Sequence, residues 1–391
     1  MGRSKKERKQ TMRYFATTSL GLEYVLEQEL RRLGAKNVRR ASSGVSFTGD
    51  RRLMMRACME LRTAHRILWE IGVFHADSID DLYARIRTGV KWSHLIPPNR
   101  TFSVHANSSG GAFHDGRFVG LRIKDAIVDR VRADTNDRPS VNLEDPDIRI
   151  VARVRGGTCQ LSADASGRSL HHRFYRERAG KAPLRESLAS AMVQMSGWVG
   201  KRPILDPMCG SGTIPIEAAL LLQNKAPALL HGAFGFQRWM GYRERIFESE
   251  LTRLGQEERK RTDECQRLIY GSDYSGRILD AARDNAERAG TRQAISWTKC
   301  RAEDIENPCP DLGPGLIITN PPYGERINEK VELRATFKKI GQKLQDEFQG
   351  WECWLLLPDE TFIDAFDLRK GRIVPLKNGP LDVLAAQLYV D

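Results

Sequence analysis

Residues 203–223 read PILDPMCGSGTIPIEAALLLQ, and this stretch decides the fold. A short apolar strand, Pro203–Leu205, leads into Asp206 and the turn Pro207-Met208-Cys209-Gly210-Ser211-Gly212-Thr213, and an apolar helix follows over Ile214–Gln223. A Gly-x-Gly turn between strand and helix lets a ligand approach the main chain closely, because glycine has no Cβ. Pro215 suits the first turn of a helix, where a missing N–H costs little. It also takes the place of the third glycine of the dinucleotide fingerprint, which argues against a pyrophosphate site.

Outward from this turn, residues 182–391 alternate strands and helices as a doubly wound Rossmann-like sheet does. Strands are expected at Leu268–Ser272, Ala294–Lys299, Gly315–Thr319, Glu352–Leu357, Gly371–Pro375 and Val383–Val390. Helices are expected at Leu184–Trp198, Arg277–Ala289 and Val331–Phe348, and Asn224–Arg267 reads as a charged, partly helical insertion. Asp206 before the turn favours a cationic ligand such as S-adenosylmethionine. Asp273 ends the second strand, where Rossmann-like folds hold a ribose diol. Its distance from the turn exceeds the usual ~20 residues, and the insertion accounts for the excess. Asp304 follows the third strand, within reach of an adenine amino group; a carboxylate at such a place also serves as a helix N-cap.

The fourth strand ends in Ile317-Ile318-Thr319-Asn320-Pro321-Pro322-Tyr323-Gly324-Glu325-Arg326. Two consecutive prolines stiffen the backbone there. The Asn320 side-chain carbonyl and the Pro321 main-chain carbonyl are two acceptors, matched to an exocyclic –NH₂ with two hydrogens to donate. Tyr323 offers an aromatic face on which an extruded base can stack.

The other half of the chain carries the charge. Of the 62 Lys and Arg and 50 Asp and Glu, residues 1–181 hold 34 and 20, a net of +14, and residues 182–391 a net of −2. Such an excess attracts a polyanion through phosphate neutralisation and counterion release. A basic tail (1–12), expected to be disordered, precedes a strand–helix–strand–strand–helix–strand order over 13–74, that of a ferredoxin-like α+β sandwich. A second α+β unit covers 75–166, with a Gly156-Gly157 hairpin near its end. Residues 167–181 read as a basic linker whose Arg168, Arg173, Arg176, Arg178 and Lys181 are candidate RNA contacts; His171 and His172 read as RNA-facing or solvated. The Arg259-Lys260-Arg261 run reads as a solvated helix face. Seven cysteines without a CxxC pair argue against a disulfide framework or a zinc site, so no metal is expected. No apolar run approaches the ~18 residues of a membrane span, no secretory signal is visible, and a cytoplasmic location is expected.

DPMCGSGT, GSDYS and TNPPYGERI, in this order on these strands, resemble the THUMP-containing class I methyltransferases, in particular the bacterial large-subunit rRNA guanine-N2 methyltransferases (the RlmL/YpsC group). The resemblance extends to LSADASGRSLHHRFYRERAGKAPLRESLA at the junction and to Lys377-Asn378-Gly379-Pro380-Leu381-Asp382. It implies a ferredoxin-like domain, a THUMP RNA-binding domain and one Rossmann-fold methyltransferase domain. The expected cofactor is S-adenosylmethionine, held by Asp206, Pro207, Cys209, Gly210, Gly212, Thr213, Asp273, Asp304 and Asn320. Asn320, Pro321 and Tyr323 are the expected catalytic residues. The expected substrate is structured RNA, 23S rRNA first, with guanine N2 as the acceptor and no obligate protein partner. A tRNA guanine-N2 methyltransferase, an adenine-N6 nucleic-acid methyltransferase and a catalytically silent RNA-binding assembly factor are the competing readings.

Overall fold

A computed structural model describes residues 11–110, 113–176, 184–230, 232–262, 268–324 and 327–391. Most of the basic tail, together with Arg178 and Lys181, lies outside the described residues, as do the side chains of Arg259-Lys260-Arg261.

The first unit runs β1 (Met12–Thr17), α1 (Glu23–Arg32), β2 (Lys36–Ala41), β3 (Gly44–Gly49), α2 (Arg51–Glu60) and β4 (Arg66–His75). Asp50 caps α2 by accepting from the Leu53 N–H at 2.9 Å, as an Asp at N-cap does. The second unit runs α3 (Ile79–Gly89), α4 (Trp92–Leu95), β5 (Thr101–Ser109), α5 (Gly116–Thr135), β6 (Ser140–Val141), β7 (Ile148–Arg155) and β8 (Thr158–Asp164). The ferredoxin-like sandwich and the second α+β unit expected from the sequence share one eight-stranded sheet, ordered β2-β3-β1-β4-β8-β7-β5-β6. The join is the antiparallel pairing of β4 with β8, from Leu68 opposite Asp164 to His75 opposite Thr158. A shared ladder leaves no sheet edge between the units, so they cannot shift without breaking main-chain hydrogen bonds.

The third unit runs α6 (Glu186–Met195), β9 (Ile204–Asp206), α7 (Thr213–Leu222), α8 (Glu244–Thr262), β10 (Ile269–Asp273), α9 (Gly276–Arg288), β11 (Ile295–Lys299), β12 (Leu316–Thr319), α10 (Ile327–Glu347), β13 (Glu352–Leu357), α11 (Glu360–Asp364), β14 (Arg369–Asn378) and β15 (Leu381–Tyr389). Its seven strands are ordered β11-β10-β9-β12-β13-β15-β14. The first five are parallel, and β15 pairs antiparallel with β13. Strand order reverses between β9 and β12, and an open α/β sheet binds its ligand at such a switch point. Trp351 and Trp354 are buried core residues, as their apolar setting suggests.

Two features bind the third unit to the first. The insertion folds back rather than outward: Ala226, Phe234, Phe236 and Leu254 are buried in one cluster with Tyr14, Leu26 and Phe47. Glu250 of α8, 1 % exposed, pairs with Arg52 and, at 2.8 Å, with Arg253. The second feature is the junction, the basic linker of the sequence reading, whose described cations turn inward. Arg173 is 1 % exposed. Its guanidinium donates to the Leu170 carbonyl (2.7 Å) and the Arg62 carbonyl (2.5 Å), and faces Glu217 Oε1 of α7 at 3.4 Å. The Tyr175 hydroxyl donates to the same Glu217 oxygen at 3.3 Å. Arg62, itself buried, donates to the Leu220 and Lys225 carbonyls at 3.1 and 2.8 Å. Arg176 pairs with Glu186 at 2.6 Å and donates to the Leu184 carbonyl at 3.0 Å. Arg173 and Arg176 are therefore corrected from RNA contacts to internal ties: each cation is consumed by a buried carboxylate. His171 is half-buried and tied to Ser169 (2.7 Å), with burial and its cationic neighbours pushing its imidazole down to about 3.

Removing one partner of a buried ion pair strands the other charge, at a cost of about 3–5 kcal/mol. Arg173→Ala should lose stability on that scale in urea unfolding, and adding Glu217→Leu should recover much of it. A loss below ~1 kcal/mol in the single variant, the scale of exposed pairs, would show that the pair does not hold the seam.

Candidate functional site

The carboxyl edge of the third unit gathers the sequence candidates from four strands. β9 ends at Asp206, 2 % exposed, whose Oδ1 accepts from the Met208 N–H at 3.2 Å. Burial pushes its carboxyl up to about 7; the Thr319 hydroxyl and the Met208 N–H pull it down, and Asp273 pushes it further up. The turn that follows buries Pro207 and Cys209. Burial, Asp206 and Asp273 hold the Cys209 thiol far above its ordinary range, which makes it an unreactive packing group.

Gly210 and Gly212 have φ of +52° and +82°, the left-handed region that favours glycine. A Cβ on Gly212 would stand 2.7 Å from Trp297 of β11, whereas one on Gly210 would meet nothing within 4 Å. Gly212 thus allows close packing of the turn against the sheet, and Gly210 leaves the outer face of the turn open to a ligand. Thr213 is buried as the first residue of α7.

Asp273 is the clasp of this edge. Its Oδ2 accepts from the Gly210 N–H at 3.0 Å and its Oδ1 from the Ser275 N–H at 2.9 Å. The Cys209 N–H donates to the Ser272 carbonyl at 2.8 Å, so the turn is tied to the end of β10 by two bonds. A carboxylate accepts more than one hydrogen bond per oxygen, so Asp273 can hold the turn and still take a ribose hydroxyl. Asp304 stands exposed in the 3-10 turn Ala302–Asp304, past β11.

Asn320 directly follows β12, and its Oδ1 accepts from the Tyr323 hydroxyl at 2.7 Å. The Asn378 side chain, on β14, lies near the same hydroxyl and pulls its pKa down. The Tyr323 ring packs against the core of the sheet, and burial drives its phenol well above its ordinary value. Beyond the aromatic face expected of it, Tyr323 holds Asn320 through its hydroxyl. Pro321 is buried and Pro322 exposed.

Three neighbours escaped the sequence reading. Asn285 of α9, fully buried, donates to the Ser211 carbonyl at 3.0 Å, and Arg288 ties it at 2.7 Å. Asn378 reaches Tyr323 from the far end of the chain. Tyr274 is 67 % exposed beside Asp273, and a large bare aromatic next to a turn acid is a signal the sequence did offer. Of the candidate RNA contacts, Arg168 is exposed, its guanidinium 5.9 Å from the Phe174 ring centroid. Among the described residues, no three His, Cys, Asp or Glu side chains are grouped to hold a metal, and no helix is long and apolar enough to cross a membrane.

A seven-stranded sheet with an acid–glycine turn on one side of its switch point and Asn-Pro-Pro-Tyr on the other defines a Rossmann-like methyltransferase domain. Residues 173–387 match the family model described as RMKL-like, methyltransferase domain, and the chain belongs to that family. Residues 13–68 match the RlmL ferredoxin-like domain and 76–164 the THUMP domain. Among solved structures, the chain is similar to one described as a possible methylase from Clostridium difficile 630, with 28 % identity over 98 % of this chain and 99 % of that one, and a TM-score of 0.89. It is also similar to SMU.472, a putative methyltransferase complexed with SAH (28 % identity, 98 % and 99 % covered, TM-score 0.86). A third, from Listeria monocytogenes str. 4b F2365, is described as a predicted N6-adenine-specific DNA methylase (27 %, 98 % and 97 %, TM-score 0.83).

The raised Asp206 carboxyl has a sign that can be checked. A carboxyl with a higher pKa in the folded state contributes stability at low pH that is lost as pH rises through the folded value, here about 7. Asp206→Asn should therefore raise the melting temperature of the cofactor-free protein more at ~pH 8 than at ~pH 5. Equal shifts at both pH values would contradict a protonated Asp206.

Proposed function

We propose that this chain is an S-adenosylmethionine-dependent RNA methyltransferase that modifies the exocyclic N2 of a guanosine, with 23S rRNA as its substrate. The observation that carries the reading is Asn320-Pro321-Pro322-Tyr323 at the end of β12, across the switch point from the Gly210 turn, in a chain that also carries a THUMP domain. The likeness to a methyltransferase complexed with SAH supports the cofactor. The residues fit it: the open face over Gly210 admits a ligand against the main chain, and the acids Asp206, Asp273 and Asp304 suit its cationic and hydroxyl groups. When bound, that cofactor supplies an electrophilic methyl group on a sulfonium.

The chain's own residues then have one task, to present the acceptor nitrogen. Asn320 Oδ1 and the Pro321 carbonyl accept the two amine hydrogens, which draws the nitrogen out of conjugation and directs its lone pair outward. Tyr323 donates to Asn320 Oδ1 and fixes the amide, and the two prolines fix the main chain. Orientation of this kind accounts for much of the rate in group transfers that need no covalent intermediate. The basic N-terminal half and the THUMP domain favour structured RNA over DNA. A second reading, adenine N6, is favoured by the description of the Listeria relative, since adenine presents the same –NH₂.

The test is to incubate the protein with methyl-labelled S-adenosylmethionine and large-subunit rRNA, then to analyse the nucleosides. N2-methylguanosine is expected. N6-methyladenosine would select the second reading, and no labelled nucleoside would overturn both. In single-turnover kinetics Asn320→Ala should lose ~10²-fold in rate, the scale of a misplaced reacting group. Tyr323→Phe should lose ~10-fold, the worth of about 1.4 kcal/mol in the barrier, with cofactor affinity unchanged in both. Wild-type rate in Tyr323→Phe would mean that its hydroxyl does not position Asn320.

A further inference from the structure

A cavity of about 320 Å³ lies where three parts of the chain meet, and none of its lining residues belongs to the edge that holds Asp206, Asp273 and Asn320. β1, α2 and β4 of the first unit form one side, residues 90–95 of the second unit another, and residues 236–242 of the insertion the third. Small-molecule pockets favour such meetings of units and begin at about this size. The floor is buried and consists of Tyr14, Met54, Met55 and Phe236. Trp69 and Trp239 stand above it, 5.7 Å apart and tilted by 43°. Tyr14 is stacked on Phe47, and Phe236 on Phe234, at 5.2 Å each, which fixes both rings. Flat rings and polarizable thioethers suit a further flat apolar group. Walls already fixed lose little freedom when a ligand arrives.

The mouth has a different chemistry. Its exposed members are Arg51, Lys91, His94, Met240 and Gly241. Arg51 donates to the Gly241 carbonyl at 3.2 Å, a bond to a neutral group that leaves its charge unanswered. Neither Arg51 nor Lys91 makes an ion pair among the described residues, and no Asp or Glu side chain of those residues lines the cavity. Asp50, next to Arg51 in the chain, serves the cap of α2. Two cations over an apolar floor match one anionic group, whereas a nucleic acid calls for a track of phosphate contacts. The first ten residues of the chain carry five Lys and Arg against one Glu, so like charge argues against the chain's own terminus as the occupant.

We propose that this cavity binds a free small molecule, a flat aromatic ring system bearing one anionic group, with the rings among Trp69, Trp239 and Met54 and the anion between Arg51 and Lys91. Such an occupant touches all three parts of the chain at once. Its binding therefore tightens their contact and stabilises the folded protein by mass action. The assignment is independent of the reaction proposed above.

The experiment titrates the full-length protein with anilinonaphthalene sulfonate, which carries an anionic group on its rings, and with phenylnaphthylamine, the same rings without that charge. Fluorescence reports binding, and melting temperature reports stabilisation and folding. Wild type should bind the sulfonate saturably, with a melting temperature that climbs with its concentration. Lys91→Glu should weaken the sulfonate about 3- to 10-fold, the scale of an exposed ion pair turned into a repulsion, and leave the uncharged amine unaffected. Ile71→Trp, which fills the cavity, should abolish binding of both. Met240→Ala, at the exposed mouth, should weaken both by about 5-fold through lost apolar contact, and it carries the test if the bulkier variant does not fold. No saturable binding by wild type, equal sulfonate affinity in Lys91→Glu, or undiminished binding in Met240→Ala overturns the site. Displacement of the sulfonate by a single-stranded oligoadenylate would make the cavity part of a nucleic-acid surface and overturn the free small molecule as its occupant; retention of the sulfonate is expected.

Discussion

A carboxylate on a helix interior, wholly cut off from water, has to be answered by a cation, and the rest of this structure is arranged around that demand. Glu217 sits on α7, the helix that opens from the ligand turn, and is fully buried. Burial raises its carboxyl; Arg173 and then Arg62 draw it back down. Arg173, from the junction, faces Glu217 and donates to the Arg62 carbonyl, while Arg62, from the loop between α2 and β4, donates to the Leu220 and Lys225 carbonyls at the end of α7, so three parts of the chain meet beside this carboxylate. Arg62 shows the cost: burial, with Arg173 beside it, pushes its guanidinium down to about 10 despite Glu217. A second knot lies alongside. Glu29 of α1 accepts from the Arg62 and Thr63 main chain at 3.1 Å each, and from Gln194 of α6 at 2.8 Å.

The consequence reaches from packing to function. Because Gly212 is the N-cap of α7, whatever holds α7 also holds the turn, and Asp273 carries that rigidity to β10 through the Gly210 N–H. The insertion adds an apolar clamp from the other side, with Trp239 against Trp69 of β4 at 5.7 Å. The eight-stranded sheet and the seven-stranded sheet therefore meet through buried charge and buried rings rather than through a flexible tether. Under the function proposed above, a fixed distance between the THUMP domain and the reacting edge would itself be a source of selectivity, since only acceptors at that separation would be presented.

Much of the catalytic domain was legible because its signals are local. A strand, an acid and two glycines in one run place the turn, and Asn320-Pro321-Pro322-Tyr323 follows an apolar strand. The ties between units were not legible. Arg173 and Arg176 stand in a polar, cationic run, and nothing in that run reveals that Glu217, 44 residues on, lies across from Arg173. The same holds for the Tyr323 hydroxyl, whose bond to Asn320 depends on side-chain torsions rather than on spacing. The docking of the insertion did leave a trace: Ile246, Phe247, Leu251 and Leu254 lie near helical spacing within a charged segment. Their pattern marks an apolar face, though not the partner that covers it. The β4–β8 pairing joins strands about ninety residues apart in a register that local pattern does not report.

The N-terminal half and the methyltransferase domain form one body through the Glu217 seam. Native-state hydrogen exchange tests it most directly, because it reports the opening free energy of each segment separately. Amides of α7 and of β4 should open together in the wild-type protein, and Arg173→Ala should lower the protection of both by the same amount. Protection that falls in β4 while α7 stays unchanged, or two units that open independently in the wild type, would contradict the account.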